Sequence, residues 1–290
     1  MALTGISAAL IPASMFPHIA KISPKDKKGA YVGSIVASGT LGVIFGRVLM
    51  GLMTAYIGWQ LSFRVISGVL FVLAALTFLS LVEKQNEKSN SHQKLTILYT
   101  KSIRLFFNLE CLPLLLAGFS LFFGFLGMVT FLTYRLITPP FNFTSGGIGW
   151  ISFAGITALI APFAGSISHK VGIYKIILLG LLICLLSFQL MGWFQSILLI
   201  VISLIILFLG VYTCQPLMFL LMGQRLPEES IGSASSFYIL ACIGGGSLAS
   251  IFLGPVWNSY GWHGITILCS ISLVISLFIM SVIALKEKDR

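Results

Sequence analysis

Residues 29–59 read Gly29-Ala-Tyr-Val-Gly-Ser-Ile-Val-Ala-Ser-Gly39-Thr-Leu-Gly42-Val-Ile-Phe-Gly46-Arg47-Val-Leu-Met-Gly51-Leu-Met-Thr-Ala-Tyr-Ile-Gly58-Trp59. Their pattern returns 203 positions later, as Gly29/Gly232, Gly42/Gly245, Gly51/Gly254, Gly58/Gly261 and Trp59/Trp262, with Pro24/Pro227 just ahead. Glycine is 29 of 290 residues, so composition alone gives fewer than one coincident Gly pair over a stretch this long. Each copy has the same layout: a short polar loop, a Gly-rich apolar helix, a Gly-Trp turn and a returning helix that ends in charge, Glu83-Lys84 or Lys286-Glu287.

The rest of the chain is as apolar as these two stretches. Hydrophobic residues make up 57% and charged residues 9%, with a mean hydropathy of +1.02. A soluble domain needs roughly 25% charge, so a water-exposed globule, and with it a cytosolic enzyme, is excluded. The long charge-free runs are broken by turn formers at Pro139 to Gly147, at Gly192 to Ser196 and at Pro255 to Gly264. Dividing there predicts nine membrane helices, at 1–20, 29–54, 60–82, 111–134, 147–168, 172–193, 196–222, 230–254 and 263–285. The expected fold is all-α and integral to the lipid bilayer, because a barrel would need polar alternation that these runs lack. A secretory signal at 1–20 fits poorly, since no basic segment precedes it and no small-residue cleavage site follows it.

The net charge of +10 is distributed by topology. Fifteen of the 18 Lys and Arg fall in alternate loops and the tail: Lys21 to Lys28, Lys84 to Arg104, Lys170 and Lys175, Arg225, and Lys286 to Arg290. Opposite loops hold only Arg135. The basic side is expected to be cytoplasmic with the C-terminus inside, and the excess is not a nucleic-acid surface. Parallel repeats relate the two six-helix halves of some secondary transporters. On that reading spans one to three pair with seven to nine, and the partners of spans four to six have no counterpart in the chain.

The segment Gly165-Ser-Ile-Ser-His169-Lys170-Val-Gly172-Ile-Tyr-Lys175 resembles the cytoplasmic loop pattern of the major facilitator superfamily, with His169 where that pattern prefers Asp. The run Gly39 to Gly51 is similar to the Gly-rich fifth helix of its efflux-type members, with Arg47 where some antiporters carry Pro. The resemblance implies spans 4–12 of a twelve-span drug or sugar efflux carrier lacking its first three helices. It divides the chain into 1–82, the remainder of an N-terminal bundle, 83–110, a central cytoplasmic loop, and 111–290, a six-helix C-terminal bundle. It further implies a small-molecule substrate, protons as a candidate coupling ion and a bacterial inner membrane. The alternative is a non-functional remnant or mis-started form of such a carrier.

Read physically, Gly165 and Gly172 permit a sharp turn between helices, and Lys170 and Lys175 place cations near C-terminal carbonyls. Gly39, Gly42, Gly46, Gly51, Gly245 and Gly254 are expected to let helices pack closely. Arg47 is the one cation well inside a span and a candidate for the substrate path; Arg64 reads as an interfacial anchor. No Asp or Glu lies within an expected span, so an embedded proton-carrying carboxylate is lacking. Uncharged candidates for the path are Phe123, Thr130 and Tyr134 at helical spacing, then Tyr212, Gln215 and Tyr238. The five cysteines are single and the four histidines scattered, which indicates neither disulfide nor metal site, and no cofactor motif appears. An integral membrane enzyme would need a cluster of acidic, His or Lys residues at the membrane edge; the sequence offers none.

Overall fold

A computed structural model of the chain describes Met15 and residues 28–82, 111–225 and 231–288. Apart from Met15, the expected first span and the loop 83–110 lie outside the described residues. The rest is helical. In order come α1 (Lys28–Val82), α2 (Leu112–Ile137), α3 (Ser145–Ile151), a 3-10 segment (Ser152–Ile160), α4 (Ala161–Val171), α5 (Ile173–Trp193), α6 (Ile197–Arg225) and α7 (Ile231–Lys288).

Two of these helices are too long for one crossing. The apolar part of α7, Ser236–Glu287, has 52 residues, about 78 Å at the α-helical rise against a hydrocarbon core of about 30 Å. It breaks at Gly261 (φ 59°, ψ −148°), and α1 breaks in the same way at Gly58 (φ 76°, ψ 161°). The repeated Gly-Trp step is therefore a repeated turn. The turns are sharper than the sequence suggested: helix continues to residue 57 in one copy and to residue 260 in the other, carrying Pro255 inside it. Six helices among the described residues are long and apolar enough to cross a membrane, with α7 counted once.

The expected span 147–168 departs most from expectation. It is assembled from α3, the 3-10 segment and α4, and Gly146 and Gly147, read as turn formers, are already helical. The turn ahead of it occupies 138–144, closed by Phe143 N–H donating to the Leu136 carbonyl at 2.8 Å.

The buried core joins α2, α5, α6 and α7, with Leu114, Leu121, Met128, Phe188, Leu207, Leu217, Cys269 and Met280 fully sealed. In lipid, helices gain little from hydrophobic exclusion, so close backbone approach and interhelical hydrogen bonds hold them. Both are present. A β-carbon on Gly245 would strike the Phe119 carbonyl of α2. Gly180 of α5 and Gly210 of α6 face each other so closely that a β-carbon on either would meet the other's carbonyl, at 3.0 and 2.7 Å. Ser276 donates to the Ala117 carbonyl across α7 and α2 at 2.9 Å, and Ser187 to the Ser203 carbonyl across α5 and α6 at 2.6 Å. All five cysteines are buried and none is joined in a disulfide.

The returning arm of α1 behaves oppositely. Ser62 is sealed, its hydroxyl donating to the Gly58 carbonyl at 2.7 Å. Most of the arm's large apolar side chains, Phe63, Leu70, Phe71 and Phe78 among them, are exposed.

Candidate functional site

The first arm of α1 meets the rest of the chain along one seam. Phe45 lies edge-on to Phe153 of the 3-10 segment, with centroids 6.1 Å apart at 89°. Beside this pair, a β-carbon on Gly155 would stand 2.7 Å from Ile44 and 3.4 Å from the Phe208 ring. Gly155 is thus the point where α1, the 3-10 segment and α6 touch. From Phe208 the aromatic surface continues inward: Phe208 stacks on Tyr212 (5.9 Å, 7°), both meet Phe125 edge-on (5.5 Å, 82° and 6.4 Å, 78°), and Phe125 meets Phe122 (5.9 Å, 86°). Offset stacks and edges are the arrangements that aromatic rings prefer, and here they leave Phe125 and Tyr212 buried while Phe45 is exposed. The seam runs beside nine residues of 3-10 helix, much longer than the usual three or four, and such irregular backbone at membrane depth marks hinges and cavity walls.

Of the residues singled out from sequence, Tyr212 lies in this cluster and Gln215 stands one turn further along α6, half-buried beside Pro216. Arg47 follows Phe45 on the first arm; its side chain is outside the described set. The others do not converge on the seam. Phe123, half-buried, stacks on Phe119 (6.4 Å, 30°) along the face of α2 that meets Gly245, and Thr130 is half-buried on α2. Tyr134 is exposed at the helix end, tilted against Phe131 (5.6 Å) and Trp257 (6.5 Å). Tyr238 is sealed against Gly118 and Phe219 (6.2 Å, 67°), and its hydroxyl has no hydrogen-bond partner among the described residues.

The loop matched to the family pattern is shorter than a loop. Val171 ends α4, Ile173 begins α5, and Gly172 alone makes the turn at φ 103°. Gly165 and His169 are carried inside α4, so Gly165 takes no part in the turn. Lys170 is exposed in the last turn of α4, where a cation meets the negative end of the helix, whereas exposed Lys175 sits in the first turn of α5, at the positive end. The glycines divide too. Gly245 makes the close contact given above, but a β-carbon at Gly39, Gly42, Gly46 or Gly254 would meet no atom within 4 Å among the described residues, and Gly51 is half-buried. Among the described residues, the small-residue face of the first arm meets no neighbour at those positions.

Two polar clusters went unrecognised in the sequence. Arg135, noted only as the one cation of the outer loops, donates from Nη1 to the Met191 carbonyl at 2.7 Å and from Nη2 to the Phe194 carbonyl at 3.2 Å. Its guanidinium lies 4.7 Å from the Trp262 ring centroid and 5.5 Å from that of Phe141. Trp262 Nε1–H donates to the same Met191 carbonyl at 3.0 Å. These carbonyls belong to the C-terminal end of α5, which lacks intrahelical donors, so one cation and one indole complete it. At the other end of α5, Arg225 of α6 pairs with Glu287 of α7 at 2.6 Å and donates to the Tyr174 hydroxyl at 2.8 Å. One clamp at each end ties α5 to its neighbours.

The family model described as Major Facilitator Superfamily matches residues 1–250. The chain belongs to the Major Facilitator Superfamily. Members of this superfamily are membrane transporters and not enzymes, and the all-helical fold agrees. An uncharacterised transporter of Buchnera aphidicola (Schizaphis graminum) is 24% identical over 96% of this chain and 67% of its own length. The uncharacterised transporter YgaY of Escherichia coli O157:H7 is 28% identical over 96% of this chain and 70% of its own. Among solved structures, the E. coli fucose:proton symporter FucP superposes with a TM-score of 0.69 at 14% identity, covering 93% of this chain and 72% of that one. At that identity the likeness is one of superfamily fold.

Proposed function

We propose that this transporter moves a small, weakly polar organic compound outward by alternating access, with the seam of Phe45, Phe153, Phe208 and Tyr212 forming part of the wall that the compound passes. The observation that carries this reading is the run of ring faces and edges beside the 3-10 segment, with Tyr212 and Gln215 as the polar groups that orient a ligand. Arg47, on the same arm as Phe45, is the cationic candidate on this path. Residues 1–82 and 111–290 are proposed as the two bodies that rock, the clamps around Arg135 and Arg225 keeping α5, α6 and α7 together as one of them. The inner membrane with the C-terminus inside is the placement that the basic loops support. Proton coupling is carried over from the fucose symporter as part of the proposal.

The test is transport by the full chain in proteoliposomes, with an imposed pH gradient and a panel of amphipathic dyes, drugs and sugars. Movement of an amphipathic compound that Phe208→Ala or Tyr212→Ala weakens supports the reading. Correctly inserted protein that moves none of them, or moves only sugars indifferently to both substitutions, removes it.

A further inference from the structure

At the end of the bundle where Lys170, Lys175, Arg225 and Lys286 gather, the start of α2 and the ends of α6 and α7 leave a cleft of about 960 Å³. Its lining is of two kinds. Leu116 and Phe278 line the cleft with apolar side chains that are 47% and 68% exposed. Arg225, Lys286 and Glu287 line it with charge, Lys286 standing about two turns beyond Phe278 on the same face of α7. Glu287 is engaged by Arg225 at 2.6 Å, so among the described residues two cations, Arg225 and Lys286, face one carboxylate.

We infer that this cleft holds the phosphate-bearing headgroup of an anionic phospholipid, with its tails along Leu116 and Phe278. Basic pockets between membrane helices recognise such headgroups through charge and seat the tails through their apolar rim. A soluble anion would use the charged end and leave the apolar lining wet, while a neutral lipid would use the apolar lining and gain nothing from the charged end. The cleft is separate from the aromatic seam: Arg225 lies 17 residues beyond Phe208 on α6, about 25 Å along the helix. A lipid seated here touches α2, α6 and α7 at once and bears on how firmly they hold together.

The experiment uses the full chain in phosphatidylcholine nanodiscs or mild detergent, with bound lipid counted by native mass spectrometry and affinity read by titration. Phosphatidylglycerol is expected to bind in preference to phosphatidylcholine. Lys286→Gln should weaken it about fivefold, the worth of one interfacial charge, and Glu287→Gln should strengthen it by a similar factor. Lys175→Gln, at the same end but outside the cleft, should leave it within about twofold. Lys286 is exposed, so its substitution leaves the fold intact, and the opposite sign expected at Glu287 separates binding from instability. The inference fails if Lys175→Gln weakens binding as much as Lys286→Gln, if phosphatidylcholine binds equally, or if inorganic phosphate displaces the lipid at matched concentration.

Discussion

Gly58 and Gly261, 203 positions apart in sequence, each leave helical geometry with a positive φ, 76° and 59°, inside helices that are otherwise continuous. Neither has an atom within 4 Å of where a β-carbon would stand among the described residues. Gly58→Ala and Gly261→Ala should therefore lose stability through the backbone alone, by about 1–3 kcal/mol each. Gly39→Ala, in regular helix and with no atom within 4 Å of the new methyl group among the described residues, should be neutral or slightly stabilising. Thermal unfolding of the three variants in detergent checks this, and equal melting of all three would count against the turn geometry.

Gly245 and Gly254 lie on one arm of α7 and differ in surroundings. A methyl group at Gly245 collides with the Phe119 carbonyl, a backbone atom that cannot swing away, while at Gly254 it meets no atom within 4 Å among the described residues. Gly245→Ala is expected to cost at least about 1–3 kcal/mol and Gly254→Ala less than half of that, again by unfolding in detergent. The reverse order would mean that α2 and α7 do not meet where described.

Arg135 and Trp262 share one acceptor, the Met191 carbonyl, and also contact each other through the ring face. Arg135→Gln and Trp262→Phe should thus be non-additive, with a coupling of about 0.5–3 kcal/mol in a double-mutant cycle. Additive effects would show that the two groups hold α5 independently.

Phe208 and Tyr212 stack with nearly parallel rings, 7° apart. If the seam contacts substrate, Phe208→Ala should raise KM about tenfold through loss of ring contacts, and Tyr212→Phe should leave the transport of an apolar compound within about twofold. Initial rates over a substrate series in proteoliposomes give both numbers. A fall in maximal rate alone, with KM unchanged, would assign Phe208 to the moving interface and not to the ligand wall.

Much of the helical layout was legible because it follows from solvation. A charge-free run of bilayer length has one stable form in lipid, and Gly-Trp at equal offsets marked both tight turns. The site was less legible. Gly39, Gly42 and Gly46 carry the same small-residue signature as Gly245, yet of these four it is Gly245 that faces a helix backbone among the described residues, and spacing cannot say which face meets a neighbour. Arg135 finds its partners 56 and 59 positions away in main-chain carbonyls, which leave no trace in side-chain identity. The 3-10 segment is as apolar as the α-helices beside it, so composition carried no warning of its different winding.

That winding has a mechanical meaning. A 3-10 helix rises about 2.0 Å per residue and an α-helix about 1.5 Å, so the nine residues Ser152–Ile160 are about 4–5 Å longer than they would be rewound as α. Because Gly172 alone joins α4 to α5, and α5 is clamped at both ends, that extra length cannot be taken up at the turn and falls at the other end of the span, toward Ser145. The winding thus sets how far one span reaches without a break in it.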